Sequence, residues 1–233
     1  MNLKCLGSGS SGNCYLLSTE TETIVLDCGL PIREIKKGLD WDISKVVGVL
    51  CTHIHSDHSK SVKDFENMGI PVFKPFDKTK ACPLKIRYGS FGVQAFKVPH
   101  DGVPCYGFYI TVDGHRILYA TDYLHLPVSF RTKRLTDMIV ECNYQKEYLN
   151  KESPKYDHQI KGHCSLDTLI EKVIKENMTR DLRTVVLCHL SGDNANPDEC
   201  LSEVQKVVGE GVKCVCAAAG ETVELSLIHS ERK

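Results

Sequence analysis

Apolar residues along this chain recur in short runs of strand length, separated by loops rich in glycine, serine or charged residues. Three runs open the chain and predict a β-meander, at 3–6, 14–18 and 23–27. Later runs predict further strands at 46–51, 71–73, 92–98, 105–112, 115–120, 138–142, 185–188, 212–217 and 222–225. Asp113-Gly114 is typical of a two-residue hairpin turn, so the strands on either side of it should pair.

The stretches between these runs predict helices at 31–39, 59–68, 166–177 and 197–208. Strands that come in runs, with helices between and after them, are typical of two sheets packed together and covered outside by helices. Neither an internal repeat nor a linker-like tract divides the 233 residues. We therefore expect one α/β domain over residues 1–233.

The composition is that of an ordinary globular protein, with 42% hydrophobic and 25% charged residues. The formal net charge of -1 gives no strong attraction to nucleic acid or to an anionic membrane, so any binding of a polyanion must be local. The N-terminus has no signal-peptide pattern, and no run of about 18 apolar residues could span a bilayer. We expect a cytoplasmic protein whose twelve cysteines are reduced and structural.

A cluster of metal-binding residue types follows the apolar run 46–51, in the hexad His53-Ile54-His55-Ser56-Asp57-His58. Side chains two positions apart in an extended segment point the same way, so His53 and His55 can bind one ion. Asp57 and His58 come where a helix should begin and suit a second ion, although Asp57 could also serve as a first-turn carboxylate. Imidazole and carboxylate ligands favour zinc, manganese or iron over calcium or magnesium.

Two ions need more ligands than this loop supplies, and further candidates directly follow other apolar runs: His100, Asp122 and His189. Any one of them alone is more simply interpreted as a satisfied polar residue at a loop edge. Three in the same context at strand ends favour a shared metal site. The sequence therefore predicts a dinuclear centre built from several strand ends.

The order His-x-His-x-Asp-His, then His, then Asp, then His resembles the pattern of metallo-β-lactamase fold hydrolases over nearly the whole chain. The resemblance implies a four-layer αβ/βα sandwich. It assigns seven ligands to two ions: His53, His55 and His100 to one, Asp57, His58 and His189 to the other, and Asp122 to both. It also implies that Asp27 orients the hexad by hydrogen bonds, with a turn carboxylate as an equally good interpretation.

Shorter segments are similar to the YycJ (WalJ) group of exonuclease-like proteins, which is itself similar to ribonuclease Z and the PhnP phosphodiesterases: 7–14, 99–101, 141–143, 162–165 and 189–194. This resemblance implies a phosphodiester substrate. The stretch between Asp122 and His189 is too short for the long inserted cap of the β-CASP branch. A large nucleic-acid clamp is therefore not expected.

A site of this kind lets two ions share a water molecule, lower its pKa and hold a phosphoryl oxygen. We expect this metal-bridging hydroxide to be the nucleophile, with Asp57 accepting a hydrogen bond from it. His163, on a glycine-flanked loop before a predicted helix, is the candidate general acid for the leaving alkoxide. A histidine that makes only a structural hydrogen bond there is the alternative.

Local positive charge could contact phosphates, in two clusters: Lys74, Lys78, Lys80, Lys85 and Arg87, then Arg131, Lys133 and Arg134. Solvated faces are an equally good interpretation of both clusters. The Gly-Ser loop 7–12 lacks the lysine and helix of a nucleotide-binding loop, so we expect a turn at the active-site rim. The other histidines are expected in peripheral places: His125 at the pocket wall, His115 at a hairpin tip, and His158 and His229 at the surface.

These observations predict a phosphodiesterase with two divalent ions, zinc or manganese with iron as a further option, that is most simply a nuclease acting on DNA or RNA. One alternative is hydrolysis of a lactone, thioester or cyclic phosphodiester in the same site, because fold and ligands do not fix the substrate. Another is a metal-binding regulatory protein without turnover, and a complete ligand set argues against it. No membrane partner is expected, and the sequence predicts no particular oligomeric state.

Overall fold

The strands of the molecule form two mixed sheets, as a computed structural model shows for residues 1–77, 84–154 and 156–227. In chain order the strands are β1 (Asn2–Gly7), β2 (Cys14–Ser18), β3 (Thr23–Leu26), β4 (Val46–Leu50), β5 (Val72–Phe73), β6 (Lys85–Tyr88), β7 (Phe91–Val98), β8 (Cys105–Val112), β9 (His115–Ala120), β10 (Asp137–Glu141), β11 (Thr184–Cys188), β12 (Lys213–Cys216) and β13 (Thr222–Glu224). The first sheet has the order β13-β1-β2-β3-β4-β5. The second has the order β12-β11-β10-β9-β8-β7-β6.

The helices are mostly short: α1 (Ile32–Gly38), α2 (Ser56–Ser59), α3 (Val62–Asn67), α4 (Tyr156–Gly162), α5 (Leu166–Thr168), α6 (Lys175–Asn177) and α7 (Pro197–Val208). A π-helical segment, Leu169–Ile174, joins α5 to α6, and 3₁₀ turns cover Arg131–Lys133 and Lys146–Tyr148. The bounds of α7 agree with the predicted helix because its signals are local: the Asn196 side chain caps the first turn and Gly209 follows the last.

Three apolar clusters hold four layers together. The central cluster lies between the sheets, where Leu26 of β3 and Phe108 of β8 belong to the same core. On the outer face of the first sheet, Phe65 of α3 packs with Val49 of β4. On the outer face of the second sheet, the π-helical segment and α7 cover side chains such as Val140. The predicted αβ/βα sandwich of the metallo-β-lactamase type is confirmed.

Strand direction brings the loops of interest to one edge. The strands β3, β4 and β5 run parallel, as do β9, β10, β11 and β12, so within each set the carboxyl ends lie on the same side. The opening strands β1, β2 and β3 are antiparallel neighbours, as the predicted meander requires. The β8–β9 hairpin turns at Asp113 and Gly114, which confirms the predicted two-residue turn.

Some elements differ from the sequence prediction for identifiable reasons. The predicted helix 59–68 is replaced by α2 and α3, because Ser61 lies between them and its hydroxyl donates a hydrogen bond to the Leu30 carbonyl at 2.6 Å. The edge strand β6 and the helix α4 were not predicted, since neither has the apolar periodicity of a buried element and nearly all of their residues are exposed or half-buried. Lys78, Lys80 and His229, which the sequence analysis named, lie outside the described residues.

The described cysteines are all free thiols, and most of them are buried, which agrees with a structural role. Within the described ranges, every helix is too short or too polar to traverse a bilayer. The prediction of a single domain over 1–233 stays a prediction.

Candidate metal centre

The seven predicted ligands lie together at the edge where several strands end. The hexad follows β4, and the other three residues come shortly after β7, β9 and β11: His100, Asp122 and His189. Their potential ligand atoms fall into two groups, in each of which the atoms lie within 4.8 Å of one another. The tertiary structure thus brings together what the sequence placed in four separate segments.

The first group consists of three imidazoles, those of His53, His55 and His100. The Nε2 atom of His53 lies 3.0 Å from Nδ1 of His55, and Nε2 of His100 lies 3.5 Å from the same atom. The Nδ1 atom of His100 is 2.8 Å from the Gly162 carbonyl oxygen and therefore carries its proton there. The Nε2 atom of His100 is left to face the other two rings as a ligand.

The second group contains Asp57, His58, Asp122 and His189. The Nε2 atom of His58 is 3.6 Å from Asp57 Oδ2 and 3.4 Å from Asp122 Oδ1. The same Asp122 oxygen lies 2.7 Å from Nδ1 of His189. This group combines two carboxylates with two imidazoles.

Asp122 faces both groups at once, with one carboxylate oxygen toward each. While Oδ1 lies beside His58 and His189, Oδ2 lies 3.9 Å from Nε2 of His53 and 3.7 Å from Nε2 of His100. This is the arrangement of a carboxylate that could be shared between two cations. It follows from the position of Asp122 just beyond β9, between the loops after β4 and β11.

Asp27 holds the hexad from behind. Its fully buried carboxylate accepts hydrogen bonds from the Thr52 backbone N–H at 2.8 Å and from the Tyr119 hydroxyl at 2.7 Å. It also lies 2.9 Å from Nδ1 of His58, which fixes that ring with Nε2 toward the second group. The hydrogen bonds expected of Asp27 from the resemblance are therefore present.

Glu141, at the end of β10, is a site residue that the sequence analysis did not single out. Its fully buried carboxylate accepts hydrogen bonds from Nδ1 of His163 at 2.7 Å and of His189 at 2.8 Å, and from the backbone N–H groups of Tyr123 and Cys164. Its ligand atom and those of Asp122, His163 and His189 also lie within 4.8 Å of one another. Because four donors already surround the Glu141 carboxylate, we interpret it as a support for the two histidines rather than as a ligand. Like the predicted ligands, Glu141 comes at the end of a strand, and this position is the feature of the sequence that could have identified it.

The electrostatics of the site divide its histidines into two kinds. Burial, reinforced by the neighbouring His58, lowers the pKa of His53 to about 2, so this ring is neutral and offers a lone pair. Burial also disfavours charge on His189, but Asp122 and Glu141 outweigh it and raise the pKa of His189 to about 10. Conversely, His189 and His58 overcome burial and hold the pKa of Asp122 well below its usual value. The proton on His189 balances the buried carboxylates, and a divalent cation bound there would supply this positive charge in its place and leave the ring neutral.

The donor set fits first-row divalent metals. Neutral imidazole nitrogen and carboxylate oxygen are ligands that zinc, manganese and iron accept, whereas calcium and magnesium prefer oxygen throughout. The ligands are also supported by buried partners, Asp27 behind His58 and Glu141 behind His189. Residues 7–71, which include the hexad, match the family model for the metallo-beta-lactamase superfamily.

The chain is similar to curated proteins and to solved structures. The chain is 24% identical over 241 residues to exodeoxyribonuclease YycJ of Bacillus anthracis, covering 90% of each protein. It is 25% identical to exodeoxyribonuclease WalJ of Streptococcus pneumoniae, covering 81% of each. Similar solved structures include the metallo-beta-lactamase fold protein YhfI of Bacillus subtilis, with a TM-score of 0.67, 17% identity and coverage of 95% of this chain and 98% of that one.

The chain has the metallo-β-lactamase fold. A diphosphatase from the PhnP family has a similar structure, with a TM-score of 0.66, 16% identity and coverage of 95% of this chain and 96% of that one. Human tRNase Z, short form, is also similar, with a TM-score of 0.62, 14% identity and coverage of 97% of this chain and 100% of that one. The resemblance to metallo-β-lactamase fold hydrolases, and to the YycJ and WalJ proteins among them, is confirmed.

Three site residues of this metallo-β-lactamase fold occupy a left-handed backbone conformation that residues other than glycine rarely adopt. These are Asp27, Asp122 and His189, with φ of 54°, 54° and 53°, and each closely follows the end of a strand. Such a conformation costs of order 1 kcal/mol or more and persists only where surrounding bonds enforce it. Its repetition at three strand ends indicates that the side chains are aimed at one place.

His163 lies beside both groups of candidate ligands. It is buried, and its ring centroid is 5.4 Å from that of His100 and 5.2 Å from that of His189. Although burial disfavours charge, the charge and hydrogen bond of Glu141 raise the pKa of His163 above its ordinary value. Its placement fits a proton donor to a group held between the ligand groups.

The peripheral histidines have neighbours that the sequence did not indicate. His158 is exposed at the surface, as expected, but its Nδ1 lies 2.8 Å from Asp101 Oδ2 and its ring centroid is 5.2 Å from that of His163. Helix α4, which was not predicted, brings His158 there. His115 directly follows the Asp113-Gly114 turn, at the hairpin tip as expected, but it is buried, and its Nδ1 lies 2.7 Å from Asp137 Oδ2. His125 is exposed, and its place at the pocket wall stays a prediction.

The loop 7–12 reaches the site as expected of a rim turn. The Ser8 hydroxyl oxygen accepts a hydrogen bond from the His189 backbone N–H at 2.8 Å. Asn13, directly after the loop, lies with its side-chain nitrogen 3.0 Å from Nε2 of His58. The loop therefore packs against the second group of ligands.

Proposed function

We propose that this protein is a metal-dependent phosphodiester hydrolase that acts on nucleic acid with two divalent ions in its metallo-β-lactamase centre. The observation that carries the proposal is the position of Asp122, whose two carboxylate oxygens face the two ligand groups separately. A carboxylate shared in this way suits a pair of cations better than a single one.

The residues would hold the ions in two nitrogen-rich sites. One would be bound by His53, His55 and His100, the other by Asp57, His58 and His189, with Asp122 between them. When bound, such a pair supplies Lewis acidity and a hydroxide nucleophile near neutral pH. Protein side chains would orient the reacting groups and transfer the protons.

The protein side chains orient the reacting groups. The supports behind the ligands, Asp27 and Glu141, fix the rings of His58 and His189 and so reduce the reorganisation needed when substrate binds. Asp57 is half-buried at the start of α2, where its carboxylate can accept a proton or a hydrogen bond from the attacking water. Its exposure to the open side of the site distinguishes it from the buried Asp122.

His163 is the proposed general acid. Its Nδ1–H donates to Glu141, so Nε2 is the ring nitrogen left to carry a proton toward a leaving oxygen. Protonation of the leaving alkoxide matters most when that alkoxide is strongly basic, as the sugar oxygen of a nucleotide is. The Glu141 carboxylate stabilises the imidazolium form before the proton is given up.

The relatives support the class of substrate. The two curated relatives are named exodeoxyribonucleases, and two of the similar structures are named as a tRNase and a diphosphatase. These names share hydrolysis at phosphorus, and the first three share a nucleic-acid substrate. We carry both features over to this chain as part of the proposal.

A panel of substrates tests the proposal. Purified protein loaded with manganese or with zinc would be assayed on bis-p-nitrophenyl phosphate, on labelled DNA and RNA, and on a lactone. We expect cleavage of the phosphodiester and of at least one nucleic acid, with activity lost on chelation and restored by the metal. Cleavage of the lactone alone would refute the phosphodiesterase, and silence on every substrate would favour a binding role.

A further inference from the structure

A groove of about 700 Å³ opens beside the candidate metal centre. Its apolar lining comes from Ile54, Val62, Phe76 and Pro104. Ile54 lies between His53 and His55 of the first ligand group, and 65% of its surface is exposed to solvent. Together with the other apolar residues it forms a floor rimmed by charged residues, a pattern that is typical of a binding surface.

The lining of the groove comes from segments that also carry candidate ligands. Ile54 lies within the hexad and Ser59 and Lys60 directly follow it, and the Ser59 hydroxyl donates a hydrogen bond to the Ile54 carbonyl at 2.8 Å. Pro104 comes from the loop that contains His100, in which Val103 N–H donates a hydrogen bond to the His100 carbonyl. The groove therefore lies next to the ligand group of His53, His55 and His100.

Charged residues of both signs line the groove: Lys60, Lys63 and Lys74, with Glu66 and Asp77. At one part of the rim, Lys74 is neutralised by Glu66 at 2.6 Å. Lys60 and Lys63, which stand close to the hexad in sequence, are exposed and make no ion pair with any residue that the structure describes. Two unneutralised ammonium groups beside an apolar floor complement a strand with a charged backbone and flat apolar bases.

We propose that this groove binds the single-stranded nucleic acid that flanks the scissile phosphodiester, with Lys60 and Lys63 on backbone phosphates and a base on the floor formed by Ile54, Phe76 and Pro104. The inference rests on the proposed function, because it takes the reacting phosphate to lie at the metal centre. It goes further by naming the path of the strand and the residues that contact it. Its volume falls within the range of ordinary ligand sites, about 300–1,000 Å³.

The first test locates the strand directly. Wild-type protein would be irradiated with a phosphorothioate oligodeoxynucleotide containing 4-thiothymidine, and the crosslinked peptides would be identified by mass spectrometry. We expect crosslinks within residues 54–77 and at 103–104. Crosslinks confined to other parts of the surface would overturn the proposal.

The second test measures how much Lys60 and Lys63 contribute to oligonucleotide binding. Binding of a fluorescent phosphorothioate oligothymidylate would be followed by anisotropy, at several salt concentrations, for wild type and for Lys60→Ala/Lys63→Ala. Each lost phosphate contact on a single strand should reduce the slope of log affinity against log salt by about 0.7, so the double variant should lose about 1.4. The affinity at low salt should fall roughly ten-fold.

The matched control removes the same charge at the opposite end of the strands, in Lys45→Ala/Lys213→Ala. Lys45 precedes β4 and Lys213 begins β12, so both lie away from the strand ends that carry the ligands. Equal losses in the two double variants would show a general charge effect and contradict the groove. Oligothymidylate binding that neither Ile54→Ala nor the double variant of the groove lysines reduces would also contradict the proposal.

Turnover of bis-p-nitrophenyl phosphate by wild type separates this inference from the proposed function. Turnover without oligonucleotide binding would leave the phosphodiesterase in place and refute the groove. Oligonucleotide binding at the groove without turnover of any phosphodiester would refute the enzyme and keep the binding site.

Discussion

Two clusters of buried histidine and carboxylate lie at opposite ends of the same two strands. At the beginning of β9 and β10, His115 pairs with Asp137 at 2.7 Å. At the other end of these strands, Glu141 pairs with His163, also at 2.7 Å. The two pairs have the same chemistry and nearly the same burial. What differs is the number of groups that converge on each.

The pair at the beginning of the strands is isolated. Asp137 Oδ2 is satisfied by His115 and by the Thr136 hydroxyl, whereas its Oδ1 has no hydrogen-bond partner among the described residues. The pair at the carboxyl ends is joined to His189 and through it to Asp122 and both ligand groups. A buried histidine–carboxylate pair therefore does not mark a functional site by itself; convergence of several such groups does.

The largest difference in activity is expected between Asp122→Asn, at the carboxyl ends of the strands, and His115→Leu, at their beginning. Asp122→Asn removes the charge shared by the two ligand groups, so phosphodiesterase activity should fall by more than about 100-fold, beyond the cost of losing an outer support. Bound metal, measured by mass spectrometry, should fall below two ions per chain. Full metal content and activity in Asp122→Asn, or equal losses in His115→Leu, would contradict the distinction.

The next largest effect is expected from His163→Ala. Loss of a general acid should slow cleavage by about 10²–10⁴-fold when the leaving alkoxide is basic, with little effect when it is p-nitrophenolate. Thymidine 5′-phenyl and 5′-p-nitrophenyl phosphates provide the two leaving groups, and metal content should stay at the wild-type value. A loss of the same size on both substrates would remove the acid role and leave only a structural one.

Glu141→Gln should have an intermediate effect. Because this change weakens the support of both His163 and His189, we expect activity and metal affinity to fall by roughly 10–100-fold. Glu199→Gln is the matched control, since Glu199 also accepts hydrogen bonds, from Gln145 and Tyr148, but on α7. Wild-type activity and metal affinity in Glu141→Gln would show that this carboxylate does not support the centre.

The smallest effect on activity is expected from His115→Leu. The change leaves the buried Asp137 carboxylate without its histidine, which should lower the free energy of unfolding by about 1–3 kcal/mol. Metal content and turnover should stay unchanged because the pair lies at the far end of the strands. Denaturant unfolding measures the stability, and the activity assay measures the turnover. A loss of turnover without a loss of stability would contradict the prediction.

The parts of the site that were predictable from the sequence are those set by local spacing. The hexad lies at the end of one strand, so its four candidate ligands could be predicted together, and the repeated context after apolar runs indicated His100, Asp122 and His189. Two packed sheets covered by helices followed from runs of strand length with helices between them, and the αβ/βα sandwich was implied by the resemblance to the family. The hydrogen bonds of Asp27 were expected from the resemblance to the family alone.

The parts that were missed depend on tertiary proximity. Glu141 is significant only because His163 and His189, from two distant segments, both donate to it. His158 reaches the site because α4 forms, and the polar sequence of α4 gave no periodic apolar signal. The groove beside the hexad is built from three segments, so no single stretch of sequence indicated it.

The most direct test of the account is a crystal structure of the manganese- or zinc-loaded protein with anomalous scattering recorded at the metal edge. The account predicts two anomalous peaks, one among His53, His55 and His100 and the other among Asp57, His58 and His189, with the Asp122 carboxylate between them. A single peak, or peaks away from Asp122, would contradict the proposal of two ions around a shared carboxylate.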